Sequence, residues 1–376
     1  MHRSRDARTP PRLIARSTPG RAVVFSALVA VVIAGLGGCS TRDETAAVSG
    51  GTPVVCEFGG RGMSPGRLAQ PRAIDADDRS VWVIDKSARV QRLEPATGGV
   101  LASWTMPDYA LGKPTGVTIA VGPRAGADGG PEQGVYIPDT HYHRVMVYAA
   151  PPSAQAEPEL LASFGSFGTD PGEFIYPTDV AVLPAADGWV ERVYVSEYGG
   201  NDRVSVFDAA YRFLFSFGVS RGTDAALAAG PDAVEFDRPQ SIALDVPRRR
   251  LIVADACDHR LGVFDLDGRL VRWIGSRETG GREPGRFNYP YGLALCPDGT
   301  VLVAEFGNHR VQRIDVESGA SLGVFGAMGR GHGQVLNPWG VALIGPTAYV
   351  LDTGNCRVLG LDLSRAARLA DGGAAR

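Results

Sequence analysis

The segment Pro290-Tyr-Gly-Leu-Ala-Leu-Cys-Pro-Asp-Gly-Thr-Val-Leu-Val-Ala-Glu305 decides the fold, because its pattern occurs six times along the chain. In each copy a β-rich run follows Pro and ends in Asp or Glu, and an Arg with an aliphatic neighbour comes next. The copies begin at Pro71, Pro114, Pro177, Pro239, Pro290 and Pro338, and their charged pairs are Asp85/Arg89, Asp139/Arg144, Glu197/Arg203, Asp255/Arg260, Glu305/Arg310 and Asp352/Arg357. A period of roughly 40 to 60 residues with several short strands is typical of a β-propeller. The sequence therefore predicts an all-β, six-bladed propeller.

Each copy contains four predicted strands, called A to D, which form one antiparallel blade. In the fifth copy they cover residues 292–295, 301–304, 310–314 and 321–325. An Asp-Gly pair between apolar runs, as at 298–299, is a strong hairpin signal. Two insertions interrupt the pattern: residues 122–134 lengthen the A–B turn of blade two, and residues 219–238 lengthen the crossover from blade three to blade four.

The last copy lacks a strand D, and the N-terminal part of the chain can supply it. Four other copies end strand D in an aromatic residue or Ile followed by Gly, and Val54-Val-Cys-Glu-Phe-Gly59 has that ending. Pairing the two chain ends removes the free edge that an open ring would leave. We therefore expect a propeller over residues 53–364, closed by an N-terminal strand that completes the last blade.

The first 38 residues have the pattern of an export signal. Six Arg and one Asp precede an apolar run that ends in Leu36-Gly-Gly-Cys39, and that run is short for a membrane span. The sequence resembles a bacterial lipobox, which implies lipidation of Cys39 and a lipid-anchored protein on the extracytoplasmic side of the cell envelope. An ordinary signal peptide and an uncleaved anchor are the alternatives. Residues 39–52 are then a flexible tether, and residues 365–376 are a disordered tail.

The charge balance argues against a nucleic-acid partner. The chain has 38 Lys and Arg against 41 Asp and Glu, and removal of residues 1–38 leaves 32 against 40. Nucleic-acid binding needs a basic face that displaces counterions from phosphates.

Four further cysteines, Cys56, Cys257, Cys296 and Cys356, allow three disulfide connectivities. Cys56 and Cys356 fall in the same predicted blade, so a bond between them is possible. Free thiols are the alternative.

The runs Asp255-Ala-Cys-Asp-His259-Arg260-Leu261 and Glu305-Phe-Gly-Asn308-His309-Arg310-Val311 resemble the NHL repeat. That resemblance implies the propeller fold, but its members include binding scaffolds, lyases and hydrolases, so it leaves function open. One related enzyme family is the peptidyl-α-hydroxyglycine α-amidating lyases, whose zinc-binding His residues directly follow the Pro that starts strand A. The corresponding residues here are Arg72, Thr115, Thr178, Gln240, Tyr291 and Trp339. The resemblance therefore argues against that zinc chemistry, and we predict no metal and no cofactor.

The repeated charged pairs are more consistent with architecture than with catalysis, because one active site would not need them in every blade. His141, His143, His259 and His309 fall in B–C loops of blades two, four and five, which should lie apart on the rim. A zinc site needs three or four converging ligands. We therefore predict structural roles for the pairs and for the histidines.

Aromatic residues and Arg are concentrated where strands A begin and in the B–C loops of the same face. Such residues are enriched in recognition surfaces. The predicted ligand-binding residues are Tyr142, Tyr176, Tyr198, Arg238, Tyr289, Tyr291, Phe306 and Trp339. The sequence thus favours a binding or assembly module for an envelope protein or polysaccharide, with no catalytic residues assigned. The alternatives are a lyase or hydrolase with a metal in the central channel, and simple packing of these rings between blades.

Overall fold

The computed structural model describes residues 53–123, 132–230, 232–277 and 279–364. The predicted signal segment 1–38, the tether 39–52 with Cys39, and the tail 365–376 lie outside these residues. The same holds for residues 124–131 of the first predicted insertion. Within these described ranges, no helix is long and apolar enough to cross a membrane.

Six antiparallel sheets of four strands form the blades. The strand that completes the last blade comes first in the sequence: β1 (Val54–Gly59). Blades one to three comprise β2 (Pro71–Asp77), β3 (Ser80–Asp85), β4 (Arg89–Leu93), β5 (Val100–Thr105); β6 (Thr118–Val121), β7 (Gln133–Asp139), β8 (Arg144–Ala149), β9 (Leu160–Phe164); and β10 (Tyr176–Pro184), β11 (Val190–Tyr198), β12 (Arg203–Asp208), β13 (Phe213–Phe217).

The second predicted insertion contains a parallel pair of short strands, β14 (Val219–Ser220) and β15 (Glu235–Phe236), around helix α1 (Asp224–Ala229). Blades four to six comprise β16 (Pro239–Asp245), β17 (Arg250–Asp255), β18 (Arg260–Asp265), β19 (Leu270–Gly275); β20 (Pro290–Leu295), β21 (Thr300–Glu305), β22 (Arg310–Asp315), β23 (Ser321–Phe325); and β24 (Gly340–Ile344), β25 (Thr347–Asp352), β26 (Arg357–Asp362). Short 3₁₀ turns at Thr140–Tyr142 and Thr353–Asn355 connect strands B and C in blades two and six.

The position of a strand within its blade explains its sequence pattern. Strand β21 is buried along its whole length, because neighbouring blades cover both faces of the sheet, and its residues after Thr300 form an apolar run that ends in Glu305. The outermost strand of the same blade, β23, alternates between half-buried and exposed residues. The turn between β20 and β21 contains Gly299 with φ +86°, a left-handed conformation that Gly adopts without steric cost.

The ring closes as the sequence predicted. Strand β1 pairs antiparallel with β26, so the last sheet has the order β1-β26-β25-β24. In this register Phe58 lies opposite Val358, and Glu57 accepts a hydrogen bond from Arg357 at 2.9 Å. The inner strands contact one another around the ring, including β24 with β2. The six-bladed all-β prediction is therefore confirmed.

The hydrophobic core lies between blades. Six clusters of buried side chains each join two neighbouring blades. Each crossover from strand D to the next strand A inserts an apolar side chain into one of these interfaces. Phe174 and Phe236, for example, are completely buried there. Stability therefore depends on every blade having a neighbour on both sides, which is the physical reason for ring closure.

The possible bond between Cys56 and Cys356 is not formed in this structure, in which both thiols are free, which is the alternative that the sequence left open. The register places Cys56 opposite Gly360, whereas Cys356 lies in the B–C loop just before β26 begins. The sulfur of Cys56 instead donates to the carbonyl of Pro95 at 3.5 Å. Sharing a blade is therefore not enough, because a disulfide requires Cα atoms within about 7 Å.

The propeller has two faces, which we call the mouth face and the turn face. The mouth face carries the D–A crossovers and the B–C loops, whereas the turn face carries the A–B and C–D turns. The described residues begin at Pro53 on the turn face, where the Pro53 carbonyl accepts a hydrogen bond from the amide of Asp362 at 2.8 Å. The amide of Leu363 donates to Pro346 in the A–B turn of the last blade at 3.0 Å. The first and last described residues thus lie on the face opposite the mouth.

Candidate functional site

The repeated acidic and basic residues form an ion pair in every blade. All six carboxylate groups are fully buried, and the N–O distances run from 2.6 to 3.0 Å. In blade five, Arg310 Nε lies 2.6 Å from Glu305 Oε1, and Glu305 also accepts a hydrogen bond from the amide of Asn288 at 3.0 Å. The same guanidinium donates to the carbonyl of Arg286 at 2.9 Å. Each pair therefore fastens a D–A crossover to its blade.

Blade two departs from this arrangement. Its crossover lacks the glycine-rich pattern of the others, and Arg144 donates to Asp108 at 2.7 Å rather than to crossover carbonyls. One oxygen of Asp139 consequently has no hydrogen-bond partner among the described residues, and burial raises the pKa of this carboxyl to about 6. The cost of burying a carboxylate is higher where fewer donors surround it.

Two of the B–C loop histidines connect neighbouring blades. Nδ1 of His259 accepts the amide of Tyr289 at 3.2 Å, and Nδ1 of His309 accepts the amide of Asn337 at 3.0 Å. His143 also contacts the next crossover, at the carbonyl of Ile175. These three side chains act in architecture. Among the described residues, no group of three His, Cys, Asp or Glu side chains could hold a metal ion.

A cavity of about 300 Å³ runs along the axis of the ring and is lined by the inner strands. The residue that directly follows Pro in each copy lies at or near its opening on the mouth face. Five of these six residues line the cavity: Arg72, Thr115, Gln240, Tyr291 and Trp339. We call this opening the channel mouth.

Aromatic rings from blades five and six form one wall of the channel mouth. Tyr291 stacks on Phe306 with ring centroids 4.9 Å apart, and it meets Trp339 edge-on at 4.8 Å. Phe306 and Trp339 are 5.7 Å apart, so the three rings contact one another. The indole nitrogen of Trp339 is buried without a hydrogen-bond partner in the part of the protein that the structure describes. A buried donor without a partner is unusual in folded proteins.

Two arginines border these rings without any carboxylate partner among the described residues. Arg238 lies over Tyr198 at 4.7 Å and over Tyr291 at 5.3 Å, and its Nε donates to Gln240 at 3.0 Å. Arg72 lies over the ring of Trp339 at 5.3 Å. Burial lowers the pKa of Arg72, and the nearby charge of Arg238 lowers it further. Two cations thus lie close together in a partly buried site, and neither guanidinium forms an ion pair with a carboxylate of the described residues, although Asp202 accepts the backbone amide of Arg238 at 2.8 Å.

The opposite wall is formed by blades two and three. Tyr176 contacts Tyr198 at 5.3 Å and His141 at 5.5 Å. Burial lowers the pKa of His141, and the charge of Arg72 adds to this effect. Nδ1 of His141 is a second buried polar atom without a partner among the residues described. The rings and guanidinium groups therefore surround the mouth.

Of the predicted ligand-binding residues, six come together here: Tyr176, Tyr198, Arg238, Tyr291, Phe306 and Trp339. Tyr289 lies at the edge of this group, 6.3 Å from Tyr291 and 39% exposed. Tyr142 lies apart from it, and its hydroxyl accepts the amide of Leu111 at 3.2 Å. Sequence reasoning missed Arg72 and His141 as members of the mouth. Arg72 directly follows the Pro that starts strand A in blade one. The signal available in the sequence was a charged guanidinium at a position that lies at the mouth.

Two carboxylates lie deeper in the channel. Asp75 accepts the amide of Ile119 at 2.6 Å, and Asp179 accepts the hydroxyl of Ser241 at 2.8 Å and the amide of Ile242 at 3.0 Å. Burial raises the pKa of Asp75 to about 7 and that of Asp179 to about 6. These carboxylates satisfy inner-strand donors that would otherwise face the channel unpaired.

Comparison with known proteins identifies the repeats. The NHL repeat matches residues 236–264 and 287–314, which confirms the resemblance predicted from the sequence. Peptidyl-glycine alpha-amidating monooxygenase A of Xenopus laevis is 30% identical over 122 residues, covering 30% of this chain and 13% of that protein. NHL repeat-containing protein 2 of Gallus gallus is 30% identical over 118 residues, covering 27% of this chain and 16% of that protein. The matches therefore span less than a fifth of either relative.

A solved structure of similar fold is a structural genomics protein of unknown function from Bacteroides thetaiotaomicron. It superposes with a TM-score of 0.54 at 15% identity, covering 82% of this chain and 74% of that one. This similarity supports the fold alone.

Proposed function

We propose that this six-bladed propeller with NHL repeats is a binding module of the bacterial cell envelope, anchored by a lipid on Cys39, with the channel mouth as its ligand site. The observation that supports the proposal most strongly is the pair Arg72 and Arg238. Both guanidinium groups rest on aromatic rings and lack a carboxylate partner among the described residues. The proposed ligand is an envelope protein or polysaccharide.

The route of the polypeptide fits this proposal. The described residues begin at Pro53 on the turn face, so a lipid-anchored tether over residues 39–52 would join the propeller opposite its mouth. The mouth would then lie on the face away from the point of attachment. Changing Cys39→Ser should abolish incorporation of labelled fatty acid, and unchanged labelling would contradict the anchor.

The ligand site is tested with Tyr291→Ala and Trp339→Ala, because these rings form one wall of the mouth. After chemical cross-linking in isolated envelopes, the wild type should recover a specific component that both variants lose. Leu214→Ala is the matched control, since Leu214 is 47% exposed on the outer strand of blade three, remote from the mouth. Thermal unfolding should show that all three variants remain folded. Recovery of the same component by both ring variants would refute the proposal.

An enzyme is the second candidate, because relatives include amidating enzymes. In this candidate a lyase or hydrolase would use a metal in the central channel. The positions that directly follow Pro hold no histidine, and the channel carboxylates Asp75 and Asp179 are occupied by inner-strand donors. Metal analysis of the purified protein separates the candidates, since stoichiometric zinc or calcium that resists dialysis would favour the enzyme.

A further inference from the structure

Large apolar side chains have their highest exposed fractions, among the described residues, in the crossovers on the mouth face. Five large apolar residues are more than 60% exposed, and each belongs to a different D–A crossover. Large apolar residues on the outer strands are at most 49% exposed. The five residues, which we call the apolar crown, are Met63 at 62%, Leu111 at 74%, Phe167 at 68%, Leu227 at 79% and Met328 at 64%.

One residue of the crown, Phe167, is connected to the channel mouth by ring contacts. Phe167 meets the ring of His143 at 4.7 Å, and His143 lies 5.8 Å from Tyr176. Tyr176 in turn contacts Tyr198, over which Arg238 lies. The mouth face therefore presents one surface with an apolar rim, an aromatic inner ring and a cationic centre.

The charge at the centre is opposite to that of the protein as a whole. Acidic residues outnumber basic ones, 41 to 38, yet the mouth holds Arg72 and Arg238 without a carboxylate partner from the described residues. By contrast, the arginine of each repeated pair is matched by a buried carboxylate. Burial lowers the pKa of Arg72, and the charge of Arg238 adds to this effect; a partner that supplied an anion here would offset both.

We propose that the mouth face docks a protein and that a carboxylate of this partner sits between Arg72 and Arg238. This inference rests on the proposed binding function and specifies its ligand. Guanidinium groups hold carboxylates through charge-assisted hydrogen bonds, and the buried indole N–H of Trp339 is a further donor at the same place. The carboxylate belongs either to an Asp or Glu residue or to the C-terminus of the partner.

A protein fits this surface better than a polysaccharide or a membrane does. Met, aromatic residues and Arg are the types enriched in protein interfaces, and Met63, Phe167 and Met328 of the crown belong to these types. Sugar hydroxyls buried against the apolar crown would lose hydrogen bonds to water without replacement. A membrane would leave the recessed Arg72 and Arg238 out of reach of its surface.

The test uses the purified protein and peptides selected for binding from a library of displayed random dodecapeptides with free C-termini. Each selected peptide is compared with versions that carry a C-terminal amide or Glu and Asp replaced by Gln and Asn. Loss of affinity with the amide assigns the carboxylate to the C-terminus, and loss with the Gln and Asn version assigns it to an acidic residue. Arg72→Gln and Arg238→Gln should each weaken binding of the selected peptide about tenfold or more.

Arg79→Gln is the matched control, because Arg79 is exposed in an A–B turn on the turn face. Arg79→Gln should bind the selected peptide like the wild type. Raising the salt concentration should weaken peptide binding by the wild type and by Arg79→Gln alike. Binding is also measured with oligogalacturonate, as an acidic polysaccharide, and with phosphatidylglycerol vesicles, as an anionic membrane. The inference is overturned if neutral peptide versions bind equally well, if both arginine variants bind normally, or if only the oligosaccharide or the vesicles bind. Loss of an envelope ligand in Trp339→Ala but not in the arginine variants would leave the binding function standing and refute only the carboxylate.

Discussion

Replacing Arg310 with Ala tests whether the repeated ion pairs hold the propeller together. Arg310 connects Glu305 to the crossover that leads into blade five, through bonds to Glu305 and to the carbonyl of Arg286. Removing one partner of a buried pair leaves the other charge uncompensated and costs about 3–5 kcal/mol. At roughly 1.5 °C per kcal/mol for a domain that spans residues 53–364, the midpoint of thermal unfolding should fall by about 4–8 °C.

The same strand offers a matched control. Arg313 lies three residues further along β22 and pairs with Asp298, which is 52% exposed. An exposed pair contributes about 1 kcal/mol or less, so Arg313→Ala should lower the midpoint by no more than about 2 °C. Circular dichroism and urea unfolding of the three proteins measure the difference. Equal midpoints for the two variants would refute the structural role that we assign to the pair.

The pH dependence of this effect has a definite sign. Burial raises the pKa of Glu305, and Arg310 opposes that rise. Without Arg310 the folded-state pKa of Glu305 should rise further, so the folded variant takes up a proton more readily than the unfolded polypeptide does. The destabilisation should therefore be larger at pH 8 than at pH 5. An opposite trend would show that the lost crossover contacts, and not the buried charge, dominate.

Three further predictions test closure, the channel carboxylates and the inner ring. Deleting residues 53–59 should abolish cooperative unfolding, since it opens the last blade; a cooperative transition in the truncated protein would contradict closure. Burial raises the pKa of Asp75 from 3.8 to about 7, so its contribution to stability is lost as the pH rises through that range. In Asp75→Asn the free energy of unfolding, measured by urea titration, should fall by about 2–4 kcal/mol less over this pH range than in the wild type. An unchanged pH dependence would count against this role of Asp75. A Cβ on Gly292 would lie 2.5 Å from the Cα of Gly340, so Gly292→Ala should cost about 1–3 kcal/mol, whereas Gly323→Ala, with nothing within 4 Å, should be tolerated; equal stabilities would contradict the close approach.

The fold could be predicted from the sequence because each blade is built from local signals. The turn at Gly299 and the apolar runs around it specify one hairpin, and the same pattern repeats in phase. The phase also predicted that the strand ending at Gly59 completes the last blade. The sequence left the bonding of Cys56 and Cys356 open, because the phase of the repeat assigns a residue to a blade but not to a position along a strand. Cys56 and Cys356 share a blade, and the register separates them.

The candidate site was predictable only in part. The position of Tyr291 and Trp339 at the start of strand A placed them at the mouth, since every strand A begins on the same face. The start of strand A placed Arg72 at the mouth as well, but nothing local showed that its guanidinium lacks a carboxylate partner. Whether an arginine has a partner depends on what lies around it in three dimensions.

The sequence by itself determined the number of blades and their strand order, because each blade is specified by a repeated pattern of neighbouring residues and the phase of that pattern shows which blade the N-terminal strand completes. Only the tertiary structure decided that Arg72 and Arg238 border the same aromatic wall, where neither guanidinium forms an ion pair with a described carboxylate. These residues come from blades one and four, and Trp339 comes from blade six. Ring closure brings such distant segments to one axis, so the charge left uncompensated at the mouth is a property of the assembled ring and of no single repeat.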